Sequence, residues 1–241
     1  SRLLARGAVI VACNDQHLPV GLLLPQHNAL QPRRFRAQIA ATKPTLKRLW
    51  KQLVVEKINR QAQLLDSLDA DQAASALRGM ARRVRSGDPD NLEAQAARRY
   101  WPALMGTRFR RRQTDGGIPN DLLNYGYMAL RAAIARALCG AGLHPSLGLH
   151  HSNRQNSFAL ADDLLEPFRP MVDQKVRILL ERGCDSIDKD AKRELLGLLT
   201  ETVALGDSAG PLTVNLERMA ASLLRCFEGK QKRLEIPRPW N

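Results

Sequence analysis

The chain has 241 residues, of which 44% are hydrophobic, an ordinary share for a globular protein, and it carries a formal net charge of +13 at pH 7. The positive charge indicates nucleic acid or another anionic surface as a partner, and the absence of eighteen consecutive apolar residues or a signal peptide predicts no membrane role. Four widely spaced cysteines without a CxxC pair argue against a zinc ribbon or a redox motif and fit a reducing compartment.

Two short apolar runs rich in Val and Ile open the chain, at residues 8–13 and 20–24, with Pro19 and turn-forming residues between them. Both runs are typical of β-strands. Because two strands do not form a stable sheet alone, we expect the other strands of the sheet to be missing or to come from a partner chain. The start of the chain therefore suggests an amino-terminal truncation or a disordered beginning. The predicted fold class is mainly α, a large helical carboxy-terminal domain preceded by the remnant of a β-domain.

Helical periodicity begins at about residue 33 and continues through the chain. Apolar residues from Leu46 to Ile58 recur at spacings near 3.6 and predict a long amphipathic helix. Asp88 and Pro89 mark a helix start, with Asp88 as the N-cap and Pro89 in the first turn. Further helices are predicted at residues 33–42, 70–86, 120–138, 188–204 and 211–228, with one more that passes Pro170 and ends at Glu181, a basic loop at 107–117, and an extended tail.

A Gly/His-rich loop runs directly into an acidic helix in the second half of the chain. His150 and His151 precede the helix, and Asp162, Asp163 and Glu166 follow at spacings that place them on neighbouring positions of one face. One histidine with two carboxylates fits Mg²⁺ or Mn²⁺, and the imidazole favours Mn²⁺, whereas zinc requires more His or Cys. The alternatives are structural loop histidines, a solvated acidic face, and an iron site of two histidines and one carboxylate.

Glu93 lies in the first turn of its helix among small residues, where a close neighbour would make an uncompensated carboxylate costly. Alternatively, this carboxylate simply complements the helix dipole. Arg98 and Arg99 precede Tyr100 and Trp101, a combination that can clamp phosphate and stack on sugar or base. The alternative is a helix end that packs on a core.

Two further polar groups lie in the basic loop and in the helix that follows it. The arginines of the basic loop at residues 107–117 are expected either to contact phosphate or to be exposed to solvent. In the helix, Asn120 and Asn124 share a face, as do Asn124 and Tyr127, which is also compatible with a capped core helix that makes interhelical hydrogen bonds.

Three stretches, taken in order, resemble the CRISPR-associated spacer-acquisition integrase family. Its Glu-bearing helix is similar to NLEAQAARRYWPALMG, its central helix and His loop to NDLLNYGYMALRAAIARALCGAGLHPSLGLHH, and its acidic motif to NSFALADDLLEPFRPMVD. The intervals of 58 residues from Glu93 to His151 and 15 from His151 to Glu166 match the family. HLPVGLLLP resembles the end of the family's amino-terminal β-domain in versions that accompany single-effector systems. The resemblance implies that residues 1–30 are the end of that β-domain with a linker, and residues 31–241 the α-helical catalytic domain.

The family's catalytic metal ligands, a Glu, a His and an acidic residue, correspond to Glu93, His151 and Glu166. The histidine falls on the fourth position of GLHH, which selects His151 over its neighbour, and the implied cofactor is Mn²⁺ or Mg²⁺. Asp163 and Asp162 match an acidic position near the site and are secondary candidates. Candidate DNA-binding residues are Arg98, Arg99, Arg110, Arg111, Arg112 and Arg154, and candidate structural residues near the site are Asn120, Asn124 and Tyr127.

The resemblance further implies a reaction and partners. A 3′-hydroxyl of a short protospacer DNA would attack a phosphodiester of the CRISPR repeat, by transesterification, with associated endonuclease activity. The implied partners are double-stranded DNA, a second copy of the chain, and a small ferredoxin-like adaptation protein, in a prokaryotic cytoplasm. Two alternatives remain: a non-catalytic basic helical module that binds nucleic acid, and a stand-alone metal-dependent nuclease.

Overall fold

The computed structural model describes residues 2–6, 8, 10–15, 17–24, 30–114, 116–151, 153 and 155–239. Helix predominates among these residues, which confirms the mainly α fold class. The chain divides into two compact units, the first formed by residues 1–49, 129–164 and 199–241 and the second by residues 50–128 and 165–198. The domain boundary near residue 30 stays a prediction. Within the described part of the chain, no helix has both the length and the apolar character needed to cross a bilayer.

The first unit contains both strand pairs. After helix α1 (Arg2–Ala5), strands β1 (Ile10–Cys13) and β2 (Pro19–Leu23) pair antiparallel, which confirms the two predicted strands. Helix α2 (Leu30–Ile39) packs against the long helix α10 (Leu212–Phe227). Leu216 and Leu223 of α10 are buried, so the amphipathic pattern of this helix directs one face into the core of the unit.

A second hairpin corrects the prediction of helix as far as residue 204. Strands β3 (Thr202–Leu205) and β4 (Ser208–Pro211) pair antiparallel through a two-residue turn that begins at Gly206, whose φ is +60°. Val203 and Leu205 are buried and their neighbours are not, which is the period of a strand rather than a helix. The buried Asn215 amide of α10 donates to the carbonyls of Val203 and Gly210 and so fastens the hairpin to the helix.

The tail returns to this hairpin. Ala204 and Arg238 exchange backbone hydrogen bonds of 2.9 and 2.7 Å, which places the tail beside β3 as an extended segment. An extended tail was predicted from its prolines, and the structure confirms that prediction.

The second unit contains most of the long helix α3 (Lys43–Asp66), which starts in the first unit, together with α4 (Asp71–Arg83) and α5 (Leu92–Met105). Helix α6 (Asn120–Gly140) begins in this unit, and α8 (Arg169–Glu181) and α9 (Lys189–Gly197) complete it. Helix α4 packs against α5, and α8 against α9. A Cβ on Gly126 of α6 would lie 2.4 Å from a methyl of Val172, so glycine is required where α6 and α8 approach each other.

The acidic helix predicted to continue to Glu181 is interrupted. Helix α7 (Ala159–Leu165) gives way to a 3₁₀ turn over Glu166–Phe168, and α8 starts at Arg169. Pro167 lacks the amide hydrogen that would bond four residues back, which favours an interruption of the α-helix there, whereas Pro170 lies in the first turn of α8, where no intrahelical bond is lost. The stripe of Leu160, Leu164 and Phe168 is fully buried, as predicted.

Asp88 caps helix α5 from outside the helix. The predicted start at Asp88 and Pro89 is wrong because α5 begins at Leu92, yet the buried Asp88 carboxylate accepts from the amides of Leu92 and Glu93 at 2.9 and 3.0 Å. Two amide donors of the first helical turn, which have no partner inside a helix, are thereby satisfied.

We expect Asp88→Ala to lower the free energy of unfolding by about 1–2 kcal/mol, the usual effect of losing a helix cap. Urea unfolding measures the change, and Asp90→Ala serves as the matched control. Asp90 is exposed and pairs with exposed Arg85, so its loss is expected to leave the free energy of unfolding close to the wild-type value. A cost for Asp90→Ala equal to that of Asp88→Ala would contradict the capping role.

Candidate functional site

Two of the predicted site residues meet on one cation in the second unit. The carboxylates of Glu93, on α5, and Glu166, in the 3₁₀ turn, both contact the ammonium nitrogen of Lys57 on α3, and the Glu166 Oε2 to Lys57 Nζ distance is 2.5 Å. Lys57 and Glu166 are buried, whereas the Glu93 side chain is partly exposed. The crowded Glu93 carboxylate therefore has a cation beside it.

At Lys57 and Glu166, the attraction between opposite charges shifts the pKa values more strongly than burial does. Burial alone would raise the pKa of Glu166, but the Arg169 guanidinium and the Lys57 ammonium lower that pKa to about 2. Burial alone would lower the pKa of Lys57, but the Glu166 and Glu93 carboxylates hold it above the ordinary value. Both groups are charged at neutral pH, and Arg169 Nε donates to Glu166 Oε1 at 2.9 Å. Glu166 therefore has a cation on each carboxylate oxygen.

Arg169 is next to a buried hydrogen-bond network formed by Tyr100, Tyr127 and Asp173. Its guanidinium lies 4.6 Å from the centre of the Tyr127 ring, and the hydroxyls of Tyr127 and Tyr100 both donate to the Asp173 carboxylate. Burial raises the pKa of Asp173 to about 6 despite these two hydrogen bonds. Burial and the nearby Asp173 raise the pKa values of both tyrosines well above the usual range, so the hydroxyls stay protonated as donors. Tyr127, predicted as a structural residue near the site, thus contacts the arginine that holds Glu166.

His151 lies in the first unit, at the end of the Gly/His-rich loop. Its Nδ1 lies 2.5 Å from Asp163 Oδ1, and Asp163 is fully buried. The same carboxylate accepts from the backbone amides of Leu149, His150 and His151. A histidine that binds a metal through one ring nitrogen generally has the other nitrogen held by such an acceptor. The geometry therefore fixes the orientation of the imidazole ring through Nδ1.

The loop needs a glycine beside Asp163. A Cβ on Gly148 would lie 2.3 Å from the His151 carbonyl oxygen and 3.0 Å from Asp163 Oδ2. Backbone approaches this close are possible only without a side chain. Gly148 and Asp163 together determine the path of the loop that carries His151.

The two secondary acidic candidates both have structural partners. Asp163 holds the loop as described above, and Asp162 pairs with Arg131 at 2.7 Å and accepts from the Asn156 amide. Arg131 also stacks over the Phe158 ring. Donors within the first unit therefore compensate both carboxylates without a metal. The structure gives each of them a structural role, and a role as metal ligand stays a prediction.

Arg111 differs from the other arginines of the basic loop. It is half-buried and donates to the side-chain oxygens of Asn120 and Asn124 at 3.2 and 2.6 Å, with Tyr127 beneath it. Burial lowers the pKa of this guanidinium. The amides of Asn120 and Asn124 donate in turn to the carbonyls of Arg110 and Gln113. The two asparagines therefore anchor the basic loop through Arg111, whose contact with phosphate stays a prediction.

The remaining arginine candidates are available to solvent or lie beyond the described residues. Arg98 and Arg99 on α5, and Arg110 and Arg112 in the loop, are exposed. Such side chains suit sequence-independent contact with phosphate. Arg154 lies outside the residues that the structure describes.

Lys57, Arg169 and Asp173 were not predicted as site residues. Lys57 occurs four residues after the buried Leu53 and therefore lies on the buried face of α3. A lysine at an otherwise apolar helical position was the feature of the sequence that could have indicated its role. Arg169 and Asp173 are spaced i, i+4 within the acidic motif. No sequence pattern, however, relates Lys57 to Glu166, which is 109 residues away.

The predicted metal triad of Glu93, His151 and Glu166 stays a prediction. Among the described residues, no group of three or more His, Cys, Asp or Glu side chains is arranged to hold a metal ion. The donor set nevertheless fits a hard divalent ion in one respect, because Glu93 and Glu166 direct carboxylate oxygens at a single cation.

Comparison with known proteins defines the class. Residues 1–202 match the family model described as CRISPR associated protein Cas1. The chain belongs to this Cas1 family, which confirms the family resemblance in its sequence. It is 44% identical, over 98% of its length and 79% of the relative, to the CRISPR-associated endonuclease Cas1 of Neisseria meningitidis serogroup C. It is 31% identical to a second CRISPR-associated endonuclease Cas1, from Pyrobaculum aerophilum, over 93% of the chain and 81% of that relative.

Solved structures share the fold. A casposase bound to integration product superposes with a TM-score of 0.81 at 20% identity, over 99% of this chain and 81% of that one. A CAS1 protein from Thermotoga maritima gives a TM-score of 0.69 at 18% identity, over 96% and 84% of the two chains. A partial Cas6-RT-Cas1–Cas2 complex gives 0.78 at 19% identity, over 96% and 80%. At these identities the likeness establishes the fold.

Proposed function

We propose that this chain joins the 3′-hydroxyl ends of short protospacer DNA to a CRISPR repeat by transesterification, with associated endonuclease activity, and that the reaction uses Mn²⁺ or Mg²⁺. The observation that carries the proposal is the convergence of Glu93 and Glu166 on one cation. Membership of a family whose relatives are named endonucleases, and the fold shared with a casposase bound to integration product, support it.

In the proposed site, Glu93 and Glu166 would supply oxygen ligands and His151 a nitrogen ligand. A divalent ion held there would supply stabilisation of negative charge on phosphoryl oxygens. Asp163 holds Nδ1 of His151 and thereby directs the ring, and Arg169 fixes the carboxylate of Glu166. No side chain acts as nucleophile, because the DNA 3′-hydroxyl attacks the phosphodiester. The bond from phosphorus to the 3′-oxygen of the repeat strand breaks, and that oxygen leaves as a hydroxyl.

The remaining parts of the proposal concern DNA and partners. Exposed Arg98, Arg99, Arg110 and Arg112 contact DNA phosphates, and the net charge of +13 favours such contacts. A second copy of the chain and a small ferredoxin-like protein complete the assembly, as the family resemblance implies. One solved relative is a partial Cas6-RT-Cas1–Cas2 complex, which supports assembly with a second adaptation protein.

The test is a joining assay with two DNA substrates. Purified protein is incubated with Mn²⁺, a labelled duplex with 3′-hydroxyl ends, and a CRISPR-repeat duplex, with and without the small adaptation protein. We expect a branched product that carries the label, and none when the duplex ends in 3′-dideoxy nucleotides. Cleavage without any branched product would indicate a stand-alone nuclease, and binding without either product a non-catalytic module.

A further inference from the structure

Lys57 contacts two acidic side chains, Glu93 and Glu166, that are far apart in the sequence. It is only 6% exposed, and its Nζ contacts carboxylates that lie 36 and 109 residues further along the chain. A buried lysine head group is costly unless its charge is compensated. Here both compensating groups are the carboxylates proposed as metal ligands.

The carboxylates need a cation between them. Two like charges that share a site repel each other and favour protonation of one of them. Arg169 contacts Oε1 of Glu166, and Lys57 is the cation that contacts both Glu166 Oε2 and Glu93. The Lys57 ammonium therefore compensates the negative charge of both carboxylates.

The backbone of α3 is held at this place by a separate contact. Arg60, one turn after Lys57, is buried and donates from Nη1 to the Pro167 carbonyl at 2.9 Å, and its guanidinium lies 5.2 Å from the centre of the Phe168 ring. These contacts connect α3 to the 3₁₀ turn that carries Glu166. The lysine head group can thus leave the carboxylates while the helix stays in place.

We propose that Lys57 is a positioning residue that acts as an internal counterion for Glu93 and Glu166. In the metal-free protein its ammonium holds the two carboxylates together, and it competes with a divalent ion for them. The proposal rests on the proposed function, in that Glu93 and Glu166 are the oxygen ligands. The ion can bind only to protein in which the Lys57 ammonium has left the carboxylates. The apparent affinity for the ion is therefore lower than the intrinsic affinity, in proportion to that fraction of the protein.

The test compares Lys57→Met with wild type in two measurements. Methionine keeps an unbranched, flexible side chain that is one atom shorter, and it removes the charge. Calorimetric titration with MnCl₂ is expected to show binding about tenfold tighter or more in the variant, because the competitor is absent. Without metal, the melting temperature is expected to fall by about 10 °C, because the buried Glu166 and the partly exposed Glu93 lose the ammonium that they share. The control is Lys51→Met, the same change at an exposed position of the same helix, with both values expected to match wild type.

Glu93→Gln separates the two proposals. Loss of Mn²⁺ binding in Glu93→Gln, with tighter binding in Lys57→Met, supports both. Loss in Glu93→Gln, with unchanged or weaker binding in Lys57→Met, overturns the counterion role and leaves the metal site intact. Wild-type binding in Glu93→Gln, or no binding by any variant, overturns the ligand assignment and the counterion role with it.

A measurement on the wild type covers the case in which Lys57→Met does not fold. The lysine ammonium groups are observed by ¹⁵N NMR during titration with diamagnetic Mg²⁺, and Lys57→Arg, which keeps the charge, assigns the Lys57 signal by its absence. A protected Lys57 ammonium is expected without metal, and its signal should shift or vanish as Mg²⁺ binds. A Lys57 signal that stays unchanged at saturating Mg²⁺ overturns the proposal.

Discussion

Replacing Glu166 with Gln is expected to lower the rate of DNA joining by about a thousandfold. The amide has nearly the same size as the carboxylate. It lacks the negative charge that attracts the divalent ion and the neighbouring Lys57 and Arg169. A metal ion contributes several kcal/mol to stabilising transition-state charge, and about 4 kcal/mol corresponds to this factor. Because the pKa of Glu166 is about 2, the wild-type carboxylate is ionised throughout any usable assay range. Single-turnover formation of branched product measures the effect.

The matched control for this experiment is Glu181→Gln. Glu181 is an exposed acid on α8 that pairs with Arg177, so the same chemical change there should leave the joining rate within about twofold of wild type. Circular dichroism and melting temperature confirm that both variants are folded. A Glu166→Gln protein that is folded and joins DNA at the wild-type rate would rule out Glu166 as a ligand.

Replacing Asp163 with Ala is expected to lower the free energy of unfolding by about 3 kcal/mol and the melting temperature by roughly 10 °C. The substitution removes the acceptor for the amides of Leu149, His150 and His151 and for Nδ1 of the His151 ring. Amide donors left without a partner in a buried place are costly. Urea unfolding measures the stability, and hydrogen exchange at these three amides reports on the loop.

Asp162→Ala is the control, because it removes a neighbouring carboxylate whose partner is the partly exposed Arg131. Its cost is expected to be about 1 kcal/mol, and exchange at the three loop amides should stay slow. The idea that Asp163 holds the His loop fails if Asp163→Ala is as stable as Asp162→Ala and its loop amides exchange at the wild-type rate.

Local patterns predicted much of this molecule. Spacings near 3.6 located the long helix α3, the apolar run at residues 120–138 located α6, and two Val- and Ile-rich runs located β1 and β2. The family's motifs placed Glu93 and Glu166 among the ligands, and the structure brings both to Lys57. The hairpin β3–β4 was missed because a four-residue strand has too few residues to distinguish a period of two from one of 3.6.

Patterns and motifs along the chain were enough to identify the helical class, the family, and the residue types that a divalent ion prefers. The partner of each charge became known from the three-dimensional arrangement. Asp163 proved to be a loop acceptor and Arg111 a loop anchor, and Lys57 proved to be the cation shared by Glu93 and Glu166. This difference arises because a helical period indicates which face of a helix is buried, whereas the partner of a buried charge comes from a segment up to 109 residues away.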